Sequence, residues 1–69
     1  MNRIHITVNG QALELPAPAT LADCIGASGL APDAVGTAVN AQFVPRARRA
    51  EHALQDGDAV FTFAPITGG

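Results

Sequence analysis

At 69 residues, 48% of them apolar, the chain is one domain's worth of protein, and a domain this small buries only about 60% of the surface its unfolded chain exposes. One sheet and one helix fit within that limit, whereas a deep cleft walled on all sides does not, which argues against an enzyme built around its own substrate pocket. A formal net charge of −2 with four basic residues provides no positive stripe to exchange for the counterions of a phosphate backbone, so nucleic acid is a poor partner.

Cys24 is the single cysteine. It cannot form an intrachain disulfide or a Cys-based zinc site, so the fold must rest on apolar burial, in a reducing compartment. No apolar run approaches the roughly 20 residues of a membrane span, and the start carries no basic segment followed by an apolar core. The expected location is cytoplasmic. All four basic residues are arginine, so no side-chain amine is present through which the chain could be joined to a copy of itself.

Ile4, Ile6 and Val8 alternate with Arg3, His5 and Thr7, the period-two pattern of a strand with one face in the core. Asn9-Gly10 tolerates the positive φ of a two-residue type I′ turn, so residues 11–15 should return antiparallel with Leu13 and Leu15 inward. Pro16 and Pro18 then end the second strand, because neither has an N–H for the ladder. Thr20 is a good N-cap and Asp23 places negative charge in the first turn of a helix predicted over residues 21–28, with Gly29 as its stop. Leu21, Cys24 and Ile25 form one apolar stripe on that helix.

Ala31-Pro32-Asp33 reads as a loop. Residues 37–39 and 43–44 read as short strands joined at Asn40-Ala41, with Pro45 marking the second as a sheet edge. Residues 46–51 are polar and predict an irregular or single-turn segment leading to Leu54, a core plug. Asp56-Gly57-Asp58 is a turn signal, and residues 59–64 form a final strand rich in β-formers. A hairpin, a helix, short strands and a last strand able to lie parallel to the first give an α+β roll of the β-grasp kind: a mixed sheet of four to five strands with one main helix on one face. The expected division is a domain over residues 1–64 and a flexible tail over residues 65–69.

That tail carries the strongest functional signal. Ile66-Thr67-Gly68-Gly69 follows the last strand, and two glycines without Cβ atoms can enter a channel too narrow for other residues. Such a terminus can serve as a substrate of another protein's active site. Its rival reading is a frayed end without chemistry.

The combination of Val39-Asn40, Val44-Pro45-Arg46, Leu54, Asp56-Gly57-Asp58 and Gly68-Gly69 resembles the ubiquitin-like sulfur carrier proteins, and most closely the ThiS family of thiamin biosynthesis. The resemblance implies that the Gly69 carboxylate is adenylated and then converted to a thiocarboxylate. It also implies an E1-like adenylyltransferase (ThiF-like) that uses ATP and Mg2+, a thiazole synthase (ThiG-like) that receives the sulfur, and a cysteine-derived persulfide as donor. The chain itself would bind no cofactor and catalyse little. Pro65 and Thr67 depart from the family's usual tail, where an extended apolar residue and a small residue are expected. The small subunit of molybdopterin synthase, with the same fold and tail, is the nearest alternative. A β-grasp binding module without terminal chemistry is the alternative from another class.

Phe61 and Phe63 lie on one face of the last strand, with Val60, Thr62 and Ala64 on the other. Area burial alone, worth about 1.5–3 kcal/mol per large apolar side chain, would turn the rings inward. The resemblance implies the opposite, with Phe61 and Phe63 forming a docking patch beside Ile66, Thr67 and Gly68. His5 and His52 lack companion ligands at metal-binding spacing and read as surface residues. Cys24 reads as a small core residue. Arg46, Arg48 and Arg49 read as a solvated edge with some capacity to meet an acidic partner, and Asp56 and Asp58 as turn residues.

Overall fold

Alternation in the first strand sets the frame of the molecule: Ile4 and Ile6 are buried, while Arg3 and His5 face solvent. The computed structural model describes residues 2–64. Strand β1 (Arg3–Val8) turns through Asn9-Gly10 into β2 (Gln11–Pro16), helix α1 (Leu21–Ala27) follows, and a short 3-10 helix (Pro32–Ala34) leads into β3 (Gly36–Val39). Strand β4 (Gln42–Val44), a second 3-10 helix (Arg46–Glu51) and β5 (Ala59–Phe63) complete the described chain. The sheet order is β2-β1-β5-β3-β4. β5 runs parallel to β1 and antiparallel to β3, and both hairpins are antiparallel. This is the β-grasp arrangement that the order of elements predicts.

Both hairpins close through two residues at positive φ. Asn9 (53°) and Gly10 (85°) make the first turn, Asn40 (52°) and Ala41 (70°) the second. Such angles match the right-handed twist of the flanking strands. Each asparagine also grips β5. Asn9 accepts from the Thr62 N–H at 2.9 Å and donates from Nδ2 to Thr62 Oγ1 at 2.8 Å. Asn40 accepts from the Ala59 N–H at 3.0 Å and donates to Asp58 Oδ1 at 3.0 Å. The central strand is therefore held at both ends by side chains of turns that flank it.

Helix α1 begins with a reciprocal capping box. The Thr20 hydroxyl accepts from the Asp23 N–H at 3.2 Å, and the Asp23 carboxylate accepts from the Thr20 N–H at 2.9 Å. It stops one residue earlier than predicted, with Ser28 as C-cap and Gly29 at φ 74°. Leu21, Cys24 and Ile25 are sealed in the core with Ile4, Ile6, Leu15, Val39, Val44, Leu54 and Val60. Leu54 is the predicted plug, fixed by its N–H donating to the Ala19 carbonyl at 2.8 Å. Leu13 is only half-buried, because β2 is an edge strand and its rim is not covered.

Two predicted segments are more regular than expected. Pro32–Ala34 and Arg46–Glu51 are both 3-10 helices, the second of six residues rather than a single turn. A cation explains why. Arg49 is 4% exposed, which corrects the expectation that Arg46, Arg48 and Arg49 all lie on a solvated edge. Its guanidinium donates to Thr37 Oγ1 (3.1 Å), the Pro32 carbonyl (3.0 Å) and the Val35 carbonyl (2.6 Å). Thr37, fully buried, donates a hydrogen bond from its hydroxyl to the Val44 carbonyl at 2.9 Å. One planar fork thus ties both 3-10 helices to β3.

Candidate functional site

The face of the sheet away from α1 is divided into a polar and an apolar part. Strand register places Arg3 and His5 of β1 opposite Pro16 and Glu14 of β2, and these residues hold the polar side. Arg3 Nε lies 2.7 Å from Glu14 Oε1, and His5 Nε2 lies 2.8 Å from Glu14 Oε2. On the other side, Phe43 of β4 and Phe61 of β5 both pair with Ala38 of β3, and Phe63 pairs with Gly36. Three rings thus gather over two of the smallest side chains in the protein.

The rings are open to solvent: Phe61 and Phe63 are each 46% exposed and Phe43 is 65% exposed. Phe43 and Phe63 lie with centroids 6.2 Å apart and planes tilted by 39°, a favourable aromatic geometry. Val60 on the opposite face of β5 is fully buried and Thr62 half-buried. The outward reading of Phe61 and Phe63 is the one the fold adopts. Phe43 joins the same patch, which the sequence expectation confines to Phe61 and Phe63. Its signal was present, since Val44 turned to the core forces its neighbour outward by the period of two.

The patch owes little to charge. Arg46 is ion-paired with Asp33, and Arg48 Nη1 lies 3.6 Å from Glu51. Together with buried Arg49, these pairs leave the basic segment largely neutralised on its own surface. Asp56 and Asp58 are occupied by the backbone. Asp56 Oδ1 accepts from the His5 N–H at 2.7 Å, and Asp58 Oδ2 accepts from the Gln55 N–H at 2.8 Å. The His5 N–H hydrogen bond is the main reason the Asp56 carboxyl is held below its ordinary value, with burial opposing it and smaller effects of the His5 ring adding to it. Both carboxylates build the turn before β5.

Cys24 is sealed in the core, and burial pushes its thiol up, against a smaller opposing effect of a hydrogen bond with Ser28. A thiol in that state is a poor nucleophile. His52 closes the second 3-10 helix and accepts the Leu21 N–H on its backbone carbonyl at 2.9 Å. Among the described residues no three His, Cys, Asp or Glu side chains form a group able to hold a metal ion, and no helix is long and apolar enough to cross a membrane. The predicted residues Ile66, Thr67, Gly68 and Gly69, with Pro65 before them, lie outside the described residues. Of the expected site, Phe61 and Phe63 are therefore the part whose surroundings are visible.

The family model described as the ThiS family matches residues 5–69. The chain belongs to the ThiS family. The match reaches through Gly68 and Gly69, and it covers all three rings of the patch. Among curated relatives, the sulfur carrier protein ThiS of Escherichia coli (strain K12) is 33% identical over 66 residues, 96% of this chain and 100% of that protein. Among solved structures, the crystal structure of thiamine biosynthesis protein ThiS from Geobacter metallireducens superposes with a TM-score of 0.81, at 23% identity, covering 96% of this chain and 100% of that one. That likeness establishes the shared ubiquitin-like β-grasp fold.

Proposed function

We propose that this chain is a cytoplasmic sulfur carrier of thiamin biosynthesis, a protein co-substrate whose Gly69 carboxylate is activated and loaded with sulfur by partner enzymes. One observation carries the reading: the family match runs through Gly69, and a relative named as a sulfur carrier is spanned from end to end.

The chemistry explains what partners must supply. A terminal carboxylate, with a pKa of about 3.5, is anionic at neutral pH and resists attack. Its oxygen attacks the α-phosphorus of ATP and pyrophosphate leaves, giving an acyl-adenylate. ATP and Mg2+ belong to the E1-like adenylyltransferase (ThiF-like), where the metal offsets phosphate charge. A persulfide anion derived from cysteine then attacks the Gly69 carbonyl carbon and expels AMP. A second thiol cleaves the resulting acyl persulfide, is itself oxidised to a disulfide, and leaves a thiocarboxylate on Gly69. That sulfur is a nucleophile for the thiazole synthase (ThiG-like).

This chain contributes recognition and reach. Phe43, Phe61 and Phe63 offer a neutral apolar surface for docking, and Ile66, Thr67 and Gly68 carry Gly69 into the partner's channel. Supporting this division of labour, β5 presents two of the rings and its last residue, Phe63, precedes the tail by a single described residue, Ala64. ATP–pyrophosphate exchange by the adenylyltransferase tests the proposal. The full chain should support exchange and a chain ending at Thr67 should not, with the fold retained in both. Equal exchange from the two would end the carrier reading.

A further inference from the structure

Phe63 occupies the space that a side chain on Gly36 would need. A Cβ built on Gly36 would lie 2.3 Å from Phe63 Cε2, 2.6 Å from Cζ and 2.9 Å from Cδ2, so any side chain at this position requires the Phe63 ring to move. Among the described glycines whose φ is positive, at residues 10, 29 and 57, a Cβ would meet no atom within 4 Å. Gly36 is the opposite case. Its requirement is steric, and the atoms it would strike all belong to one ring. Covering a strand glycine with a cross-strand aromatic is a known way to fix a ring on a sheet.

The seat is itself anchored. Val35, the residue before Gly36, has its carbonyl held at 2.6 Å by Arg49, and Thr37, the residue after, is held by the same guanidinium at 3.1 Å. Gly36 is therefore clamped on both sides by a buried fork. Phe63 in turn meets Phe43 at 6.2 Å, so displacing one ring disturbs the pair.

Resting on the carrier reading, we propose that Gly36 is a positioning residue for partner recognition: it seats the Phe63 ring over β3 and so sets the shape of the aromatic patch at the end of β5. It acts through Phe63 and touches no reacting atom. A methyl at position 36 would lift the ring and leave the remaining β3–β5 register, held by Thr37, Ala38 and Val39, in place.

The test is a double-mutant cycle on pyrophosphate exchange with the purified adenylyltransferase, using the full chain, Gly36→Ala, Phe63→Ala and the double variant. Each single variant should raise the KM for the carrier by roughly tenfold with kcat unchanged, as loss of one aromatic anchor would, and the double variant should be no worse than Phe63→Ala alone. In parallel, the Gly36 Hα protons of the free protein should be shifted upfield by the ring and should lose that shift in Phe63→Leu. An unchanged KM for Gly36→Ala overturns the proposal, as does an equal penalty in the Phe63→Ala background. If Gly36→Ala does not fold, folding of the double variant supports the ring clash and its failure to fold overturns it. No exchange from the unsubstituted chain overturns the carrier reading and this role with it, while the Hα shift separately reports whether the seat exists.

Discussion

Asn9 and Thr62 lie 53 residues apart and exchange two hydrogen bonds, Asn9 Nδ2 to Thr62 Oγ1 at 2.8 Å and Thr62 N–H to Asn9 Oδ1 at 2.9 Å. The parallel register of β1 and β5 covers only Thr7 with Ala59 and Val8 with Val60. Beyond it the asparagine side chain takes over the ladder and keeps β5 fixed one residue before Phe63. The turn that closes the first hairpin thus also secures the strand that leads to residues 65–69.

Removing that clasp should cost stability in a set order. Asn9→Gly keeps the left-handed turn and loses both bonds, a cost of about 1 kcal/mol. Asn9→Ala adds the strain of a Cβ at positive φ, roughly 1 kcal/mol more. Thr62→Val loses only the hydroxyl bond and should cost least. Urea denaturation midpoints check the order; equal midpoints for the two Asn9 variants would mean that the turn conformation is not under strain.

Arg49 should behave as a core residue despite its charge. Arg49→Ala strands the Pro32 and Val35 carbonyls and half of the Thr37 hydroxyl's bonding, at a cost of about 2–4 kcal/mol. Arg49→Lys keeps the charge without the fork and should recover only part of this. Alanine at Arg48, exposed and paired with Glu51 at 3.6 Å, should cost under about 0.5 kcal/mol by comparison. Guanidinium denaturation of the three variants measures the contrast.

Acid should weaken the turn before β5 through Asp56. Its folded-state pKa lies below its unfolded value because the His5 N–H stabilises the carboxylate. Its contribution is therefore complete above the unfolded value of about 3.9 and vanishes as pH falls through the lower folded value. The stability difference between the natural chain and Asp56→Asn should be constant at neutral pH and shrink below about pH 4. A difference that stays constant throughout the acid range would show that the hydrogen bond does not favour the charged form.

The aromatic patch should matter to partners more than to folding. Phe43→Ala or Phe61→Ala removes a ring already 65% or 46% exposed, so unfolding free energy should fall by no more than about 1 kcal/mol. Affinity for the adenylyltransferase should fall by tenfold or more, as for a buried aromatic anchor of about 1.4 kcal/mol or greater. Calorimetric titration against the partner, with chemical denaturation as control, separates the two effects. Wild-type affinity in both variants would remove the rings from the docking surface.

Local chemistry made most of the fold legible. The alternation of Ile4, Ile6 and Val8, the Asn9-Gly10 turn, and Thr20 with Asp23 each identify an element from neighbouring residues alone. Alternation separates the faces of β5 but does not say which one is buried. Apolar area favours the phenylalanines inward, and the outcome depends on Gly36 and Ala38 leaving room for rings on the outer face. Arg49 was hidden for a different reason. Its partners come from Pro32, Val35 and Thr37, so within its own segment it is indistinguishable from Arg46 and Arg48. Residues 65–69 lie outside the described residues, and the reading of Gly68-Gly69 rests on their composition and on the family resemblance.

On the carrier reading, the Gly69 carboxylate exchanges one oxygen for sulfur. Intact-mass spectrometry of the chain after incubation with its adenylyltransferase, ATP, Mg2+ and a persulfide donor tests it most directly. The expected result is a mass gain equal to the difference between sulfur and oxygen, located by fragmentation to Gly69 and dependent on ATP. An unchanged mass, under conditions in which the same enzyme loads another carrier, would contradict it.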